Sequence, residues 1–227
     1  MRAERAVGIL ALLVLGHGAS ARTLHAQTDG TCVPVAERAG RAYGCFITAR
    51  EELGRLPTTP LYWHLDTFPT FAAAVAARGH WSTAVRSLAA NWLYTIADSS
   101  WRPRAGVRVM RIGPLPLVQA DSFAALYMEG EFQPGMQTQV HRHPGVEAWY
   151  TLAGSMCLES SEGRMEQRAG EPGVMVPGGL PMQLTGTGTT TRRSVVLILQ
   201  DATKPRSSMA HDWVPKDLCR SHPPAQP

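Results

Sequence analysis

Beyond residue 122 the chain alternates apolar and polar positions in short runs divided by glycines. The runs are residues 124–132, 137–143, 147–152, 155–159, 164–168, 174–176, 182–184 and 192–199. Many short strands at this rhythm predict an all-β sandwich or barrel. Residues 194–199, SVVLIL, are apolar at both parities and predict a strand buried between layers, whereas 164–168 belongs on the solvent side.

The pattern before residue 123 is less regular. Residues 27–44 read as an irregular arm or a short helix, weakly amphipathic over 33–42. Residues 45–51 and 60–66 alternate as strands do, and 81–97 and 107–112 have strand-like composition rich in Val, Ile, Leu, Trp and Tyr. Between them, the Ala-rich stretch 70–78 predicts one short helix with Pro69 in its first turn and Gly79 as its C-terminal cap. No internal repeat makes this half a second barrel. It is expected to add strands to the barrel's sheets, or to form an edge that a partner subunit covers. The resulting division is 1–21, an export signal; 22–122, an N-terminal extension; 123–200, the barrel core; and 201–227, a tail.

Composition narrows the class. With 227 residues, 44% hydrophobic and 18% charged, the chain is globular. A net charge of +4 spread without a Lys/Arg run or a basic stripe argues against nucleic acid as a partner. Arg2 and Arg5, the apolar run 6–15 and Ala19-Ser20-Ala21 form the three parts of an export signal, with cleavage expected after Ala21 or, second, after Ala26. That run is too short to span a bilayer, and no later stretch is apolar for long enough, so the mature chain is expected to stay off the membrane. Export into an oxidising compartment, periplasmic or extracellular, gives the four cysteines meaning. Of three pairings, Cys32 with Cys45 closes a short loop. Cys157, at the parity opposite Met156 and Leu158, can then staple the tail through Cys219.

The chemistry concentrates in GMQTQVHRHPGVEAWYTLAG, residues 135–154. On a strand His141 and His143 share one face. Pro144-Gly145 turns the chain, and Glu147 returns toward the same space. Two neutral imidazoles and a carboxylate form a set that can hold a divalent transition metal, Fe, Mn, Zn or Cu, on one face and leave other positions open.

The spacing of Gly135, His141, His143, Glu147 and Gly154 resembles the first motif of the cupin superfamily. The second motif is partly present, as Gly170, Pro177 and Gly179, with Met182 where that family usually has a third histidine and Gly186 where it has asparagine. The resemblance covers roughly residues 124–199 and implies a cupin-type double-stranded β-helix, or jelly-roll barrel, carrying an N-terminal extension of strands and one short helix. It also implies a small-molecule ligand and, because such barrels often dimerise through edge strands, a homodimer as one assembly. Met182 is either a soft ligand, which favours copper, or an apolar plug.

Gln139 has the parity of the histidines and Trp149 that of Glu147, so both are candidate walls of a ligand cavity. Glu129 and Glu131 share one parity whose direction the sequence leaves open. His64, among aromatics, reads as a packed residue outside the site. No residue stands out as a general acid or base beyond the candidate ligands. Two functions follow: a metal-dependent enzyme, with a dioxygenase among the reactions the resemblance implies, or a module that binds a metal or small molecule without turnover.

Overall fold

The computed structural model describes residues 27–28 and 32–220. The expected export signal and both of its cleavage positions lie outside the described residues. In chain order the strands of the first half are β1 (Gln27–Thr28), β2 (Val33–Pro34), β3 (Gly44–Gly54), β4 (Tyr62–Phe68), β5 (Ser82–Ser87), β6 (Ala90–Ala97), β7 (Val107–Ile112) and β8 (Phe123–Phe132). Those of the second half are β9 (Gln137–Thr138), β10 (His141–Arg142), β11 (Val146–Ala153), β12 (Ser155–Ser160), β13 (Gly163–Arg168), β14 (Val174–Val176), β15 (Met182–Thr187), β16 (Arg192–Asp201) and β17 (Ser208–Met209). One α-helix, α1 (Phe71–Ala76), lies between β4 and β5.

The fold is an all-β jelly roll with a further sheet against it. Six strands run in the order β14-β11-β16-β8-β3-β2, and a second sheet contains β1-β9-β15-β10-β17 with β12 and β13. Alternation along the strands explains the layering. From β16, Val196 and Ile198 join Leu126, Met128, Trp149, Met156, Leu158, Met182 and Leu184 in a core shared by both sheets. Val195, Leu197 and Leu199 face the opposite way, into a core with Trp63, Leu65, Trp92, Tyr94 and Ile96. Thus SVVLIL is apolar at both parities because both of its faces are covered. β8 is buried along its whole length for the same reason.

The N-terminal extension divides between two places. β3 joins the six-stranded sheet, and so does β2, within a stretch expected to be an irregular arm or short helix, but β4 to β7 form their own sheet, ordered β5-β6-β4-β7. It packs on the outer face of the six-stranded sheet and covers what would otherwise be a large apolar surface. The stretch 81–97 is a hairpin rather than one strand: Leu88 and Ala89 turn it with φ of 50° and 64°. Turns of this handedness usually recruit Gly or Asn, which is why the sequence hides this one. The Leu88 amide donates to the buried Glu129 carboxylate, a tertiary contact that helps hold the turn. The helix is also shorter than its pattern, running from the Thr70 cap to Ala76, with Ala77 rather than Gly79 closing it.

Two disulfides tie the periphery down, Cys32–Cys45 beside the edge strands and Cys157–Cys219 on β12. Next to the second, the buried Glu159 carboxylate accepts from the backbone N–H of Lys216 and of Leu218, so the tail seals the outer face of β12. β13 is mostly exposed, in keeping with its polar sequence. No helix among the described residues is long and apolar enough to cross a membrane.

Candidate metal centre

His141 sits on β10 and Glu147 on β11, in different sheets, so a tight reversal must bring them together. Gly145 permits it. A Cβ at this position would stand 2.1 Å from the Leu199 carbonyl oxygen and 2.6 Å from Gln200 Cα, both backbone atoms that cannot swing away. Further on, Gly154 takes φ +67° with Thr190 and Arg192 backbone close by. The Gly179 N–H donates to the His143 carbonyl at 2.8 Å, anchoring the reversal to the loop after β14.

His141, His143 and Glu147 are all buried, and one ligand-capable atom from each lies within 4.8 Å of the others. The tautomers follow from the hydrogen bonds. His141 Nδ1 is 2.8 Å from the Gln139 carbonyl oxygen, and His143 Nδ1 is 2.6 Å from that of Arg206. A carbonyl oxygen can only accept, so both Nδ1 atoms carry the proton and both Nε2 atoms keep a lone pair. Backbone carbonyls orient metal-binding histidines in this way. Burial pushes the His143 imidazole down to about 4 and lowers that of His141, so both rings are neutral at pH 7. Burial also raises the Glu147 carboxyl from its ordinary value, against the attraction of His141 and Arg192.

The donor set fits a divalent cation. Glu147 Oε2 is buried without a hydrogen-bond partner and lies 3.6 Å from His143 Nε2, which at neutral pH has a lone pair rather than a proton to offer. Lone pairs and an anionic oxygen facing one another without a shared proton are stabilised by a cation placed between them. Bonds of about 2.1 Å to ligands on one face set the ligand atoms roughly 3.0 to 3.4 Å apart, so a trio spanning up to 4.8 Å draws in by at most about 1.4 to 1.8 Å, within reach of side-chain rotation, to share one ion.

An interior cavity of about 50 Å³ adjoins the trio, with Met128, Phe132, Leu184, Val196 and Ile198 among its apolar walls. Thr138, Arg192, Arg206 and Ser207 are further polar residues on its lining, and the Cys32–Cys45 disulfide borders it. Of the wall residues expected from parity, neither Gln139 nor Trp149 lines it. The strand is interrupted at 139–140, between β9 and β10, so Thr138 takes the inward position and Gln139 contributes its carbonyl to His141 instead. Trp149 is buried in the shared apolar core. Met182 pairs directly with His141 across the sheet but packs into that same core and does not line the cavity. Glu129 and Glu131 face away from it, paired with Arg38 and, for Glu131, Arg193. His64 lies in the four-stranded sheet, its Nε2 2.9 Å from the Asp98 carbonyl oxygen, and is no part of the site.

Sequence reasoning missed Arg192. It begins β16, is 2% exposed, and shares the inward parity of Val196 and Ile198, a signal that extending the alternation two residues toward the N-terminus would have revealed.

Fold and site together define an all-β jelly roll with an interior His-His-Glu cluster. No family model matches the chain, and no curated protein matches it. Solved structures similar to parts of it include a cupin-like protein from Thermotoga maritima, 16% identical, covering 38% of this chain and 64% of that one at a TM-score of 0.34. A cupin domain from Bordetella pertussis is 24% identical over 34% of this chain and 81% of that one, TM-score 0.29. A DMSP lyase from Ruegeria pomeroyi is 19% identical over 38% of this chain and 43% of that one, TM-score 0.34. The chain also spans 49% of a similar Acidithiobacillus ferrooxidans structure.

Proposed function

We propose that this chain is an exported cupin-type protein that holds one divalent transition metal through His141, His143 and Glu147 and acts there on a small molecule, with a dioxygenase-type oxidoreductase as the leading reaction class. The observation that carries the reading is the pair of Nδ1-protonated imidazoles held by backbone carbonyls beside a buried carboxylate oxygen that has no partner. When bound, the metal supplies Lewis-acid or redox chemistry at an open coordination face. The chain's own part is to hold the imidazoles neutral, orient them, and exclude bulk water with the apolar walls of the cavity. Met182 serves as an apolar wall behind His141 rather than as a ligand, so a Met182→Leu variant keeps its metal. The two disulfides support a periplasmic or secreted location.

The test is metal analysis of protein purified without chelator or a metal-binding tag. About one equivalent of Fe, Mn, Zn or Cu, lost in His141→Ala, supports the reading, and metal-free wild-type protein that takes up none on addition refutes it. A second reading, a binding module without turnover, is favoured by the small cavity of about 50 Å³. Metal-loaded protein that binds a small ligand but consumes no O2 with it would select that reading.

A further inference from the structure

Among the described residues, Arg192 is the fully buried cation on the cavity lining that the metal reading leaves unexplained; Arg206, on the same lining, is half-buried and donates to the Cys32 carbonyl. Its side chain enters the space between the two barrel sheets and lines the cavity. Across the ladder Gly130 leaves room for it: a Cβ there would stand 3.1 Å from Arg192 Nη1. The guanidinium lies 5.4 Å from the centroid of the Phe132 ring. Among the described residues it makes no hydrogen bond and no ion pair, and Nε is buried without a partner. Glu147 attracts it through space without being close enough to pair.

We infer that Arg192 is an anion anchor, and that the ligand of this centre is a small carboxylate or similar oxyanion held between the metal and the guanidinium. The inference rests on the proposed metal reading and adds the ligand's chemical class. Charge supplies the first argument. The buried groups, two neutral imidazoles, one carboxylate, a divalent ion and the Arg192 guanidinium, sum to two positive charges in a largely apolar chamber, and the half-buried Arg206 on the same lining adds to the excess; uncompensated charge there is strongly disfavoured. A neutral ligand leaves that excess in place, whereas a carboxylate removes one unit of it and a dicarboxylate two.

Shape supplies the second. A guanidinium presents a planar fork of N–H donors that matches a carboxylate in bidentate fashion, and this one has its Nε donor unspent. Size supplies the third. At about 10 to 15 Å³ for each water-sized occupant, the cavity of about 50 Å³ takes roughly three to five such units. That matches a ligand of the size of acetate, with oxalate just above the upper end, and is too little for a sugar or an aromatic acid.

The experiment uses the full chain loaded with cobalt(II), whose visible spectrum reports changes in coordination. Oxalate and acetate are titrated against acetamide, the uncharged counterpart of acetate. The wild type is expected to respond saturably to oxalate and acetate and to need at least tenfold more acetamide. In Arg192→Gln, one cobalt equivalent is retained with affinity equal to or above that of the wild type, since a repelling charge is gone. Oxalate binding in that variant weakens by about 10- to 100-fold, the usual range for a lost charge-assisted hydrogen bond, and Arg192→Lys restores part of it. Equal response to acetate and acetamide in the wild type, which requires no variant to fold, overturns the inference, as does unchanged oxalate affinity in a folded Arg192→Gln protein. Wild-type protein that takes up no cobalt overturns the metal reading itself, a different result from cobalt uptake without anion selectivity.

Discussion

Replacing Glu147 by Gln should move stability in opposite directions with and without metal, a combination that a purely structural Glu147 does not produce. In the metal-free protein, burial raises the Glu147 pKa despite the pull of His141 and Arg192. A carboxyl group that ionises less readily when folded destabilises the native state once pH exceeds its unfolded value, so at pH 7 the isosteric, uncharged Gln should raise the melting temperature. In the presence of metal the sign reverses. Metal at 100 times its Kd stabilises the wild type by about 2.7 kcal/mol. For a chain of this size that is a rise of roughly 5 to 11 °C, at about 2 to 4 °C per kcal/mol. Outer-shell partners of a metal already contribute 10- to 100-fold in affinity, so losing a directly bound anionic oxygen should weaken binding by at least about 100-fold. At the same metal concentration the variant then gains only about 0.4 kcal/mol, or roughly 1 °C. The assay is thermal unfolding of both proteins after chelator treatment and after adding back each candidate metal. A variant that keeps the full metal-dependent rise, or whose metal-free form melts several degrees below the wild type, refutes the assignment of Glu147 as a buried anionic ligand.

Three further outcomes follow from the same geometry. Gly145→Ala should lose about 1 to 3 kcal/mol by forcing a methyl onto the Leu199 and Gln200 backbone. Gly170→Ala, at φ +83° with open space around its Cβ, should lose only about 1 kcal/mol of backbone strain, and urea titration of the two variants compares them. Removing Cys157–Cys219, which joins residues 62 apart, should destabilise by roughly 4 kcal/mol in the chain-entropy treatment, against roughly 3 for Cys32–Cys45 at a separation of 13; denaturant midpoints of the two double Cys→Ser variants would reverse that order if the treatment fails here. Finally, burial lowers His64 and His143 to about 4, so below pH 6.5 the unfolded chain binds protons that the native metal-free protein refuses. Stability is therefore fully present above pH 6.5 and lost as pH falls toward 4, by roughly 2 kcal/mol per imidazole at pH 5. Urea midpoints of the metal-free protein at pH 7 and 5 measure this, and a His64→Asn variant as pH-sensitive as the wild type would show that His64 contributes nothing to it.

Where the sequence spoke clearly, one physical constraint dominated the local pattern. Period-two alternation broken by glycine marks strands because each strand from β8 onward must cover at least one face, and SVVLIL announced a sandwiched strand because β16 is covered on both. His141, His143 and Glu147 stood out because a two-residue spacing and a Pro-Gly reversal are local geometry. The rest depended on contacts that local pattern does not carry. Leu88-Ala89 turns a hairpin with residues that usually avoid positive φ, and its amide is held by Glu129 from another sheet. The separation of β4 to β7 into their own sheet is a decision between pairing edges, to which alternation within a strand is blind.

The two corrections at the site have different causes: Trp149 keeps its inward parity on β11 but is taken up by the shared core, whereas Gln139 falls where a strand breaks. Parity places a side chain correctly only while the strand is unbroken, and the interruption at 139–140 exchanges Gln139 for Thr138 on the cavity wall. Arg192 shows the converse, since β16 is unbroken and parity does hold to its first residue, carrying a charge inward where composition suggests a polar strand end at the surface. A charged residue at the margin of an apolar strand, in phase with its inward positions, is therefore better tested as a ligand group than dismissed as a solvated terminus. In this chain that residue stands beside the His-His-Glu cluster with its Nε unpaired, and it sets what the chamber can accept.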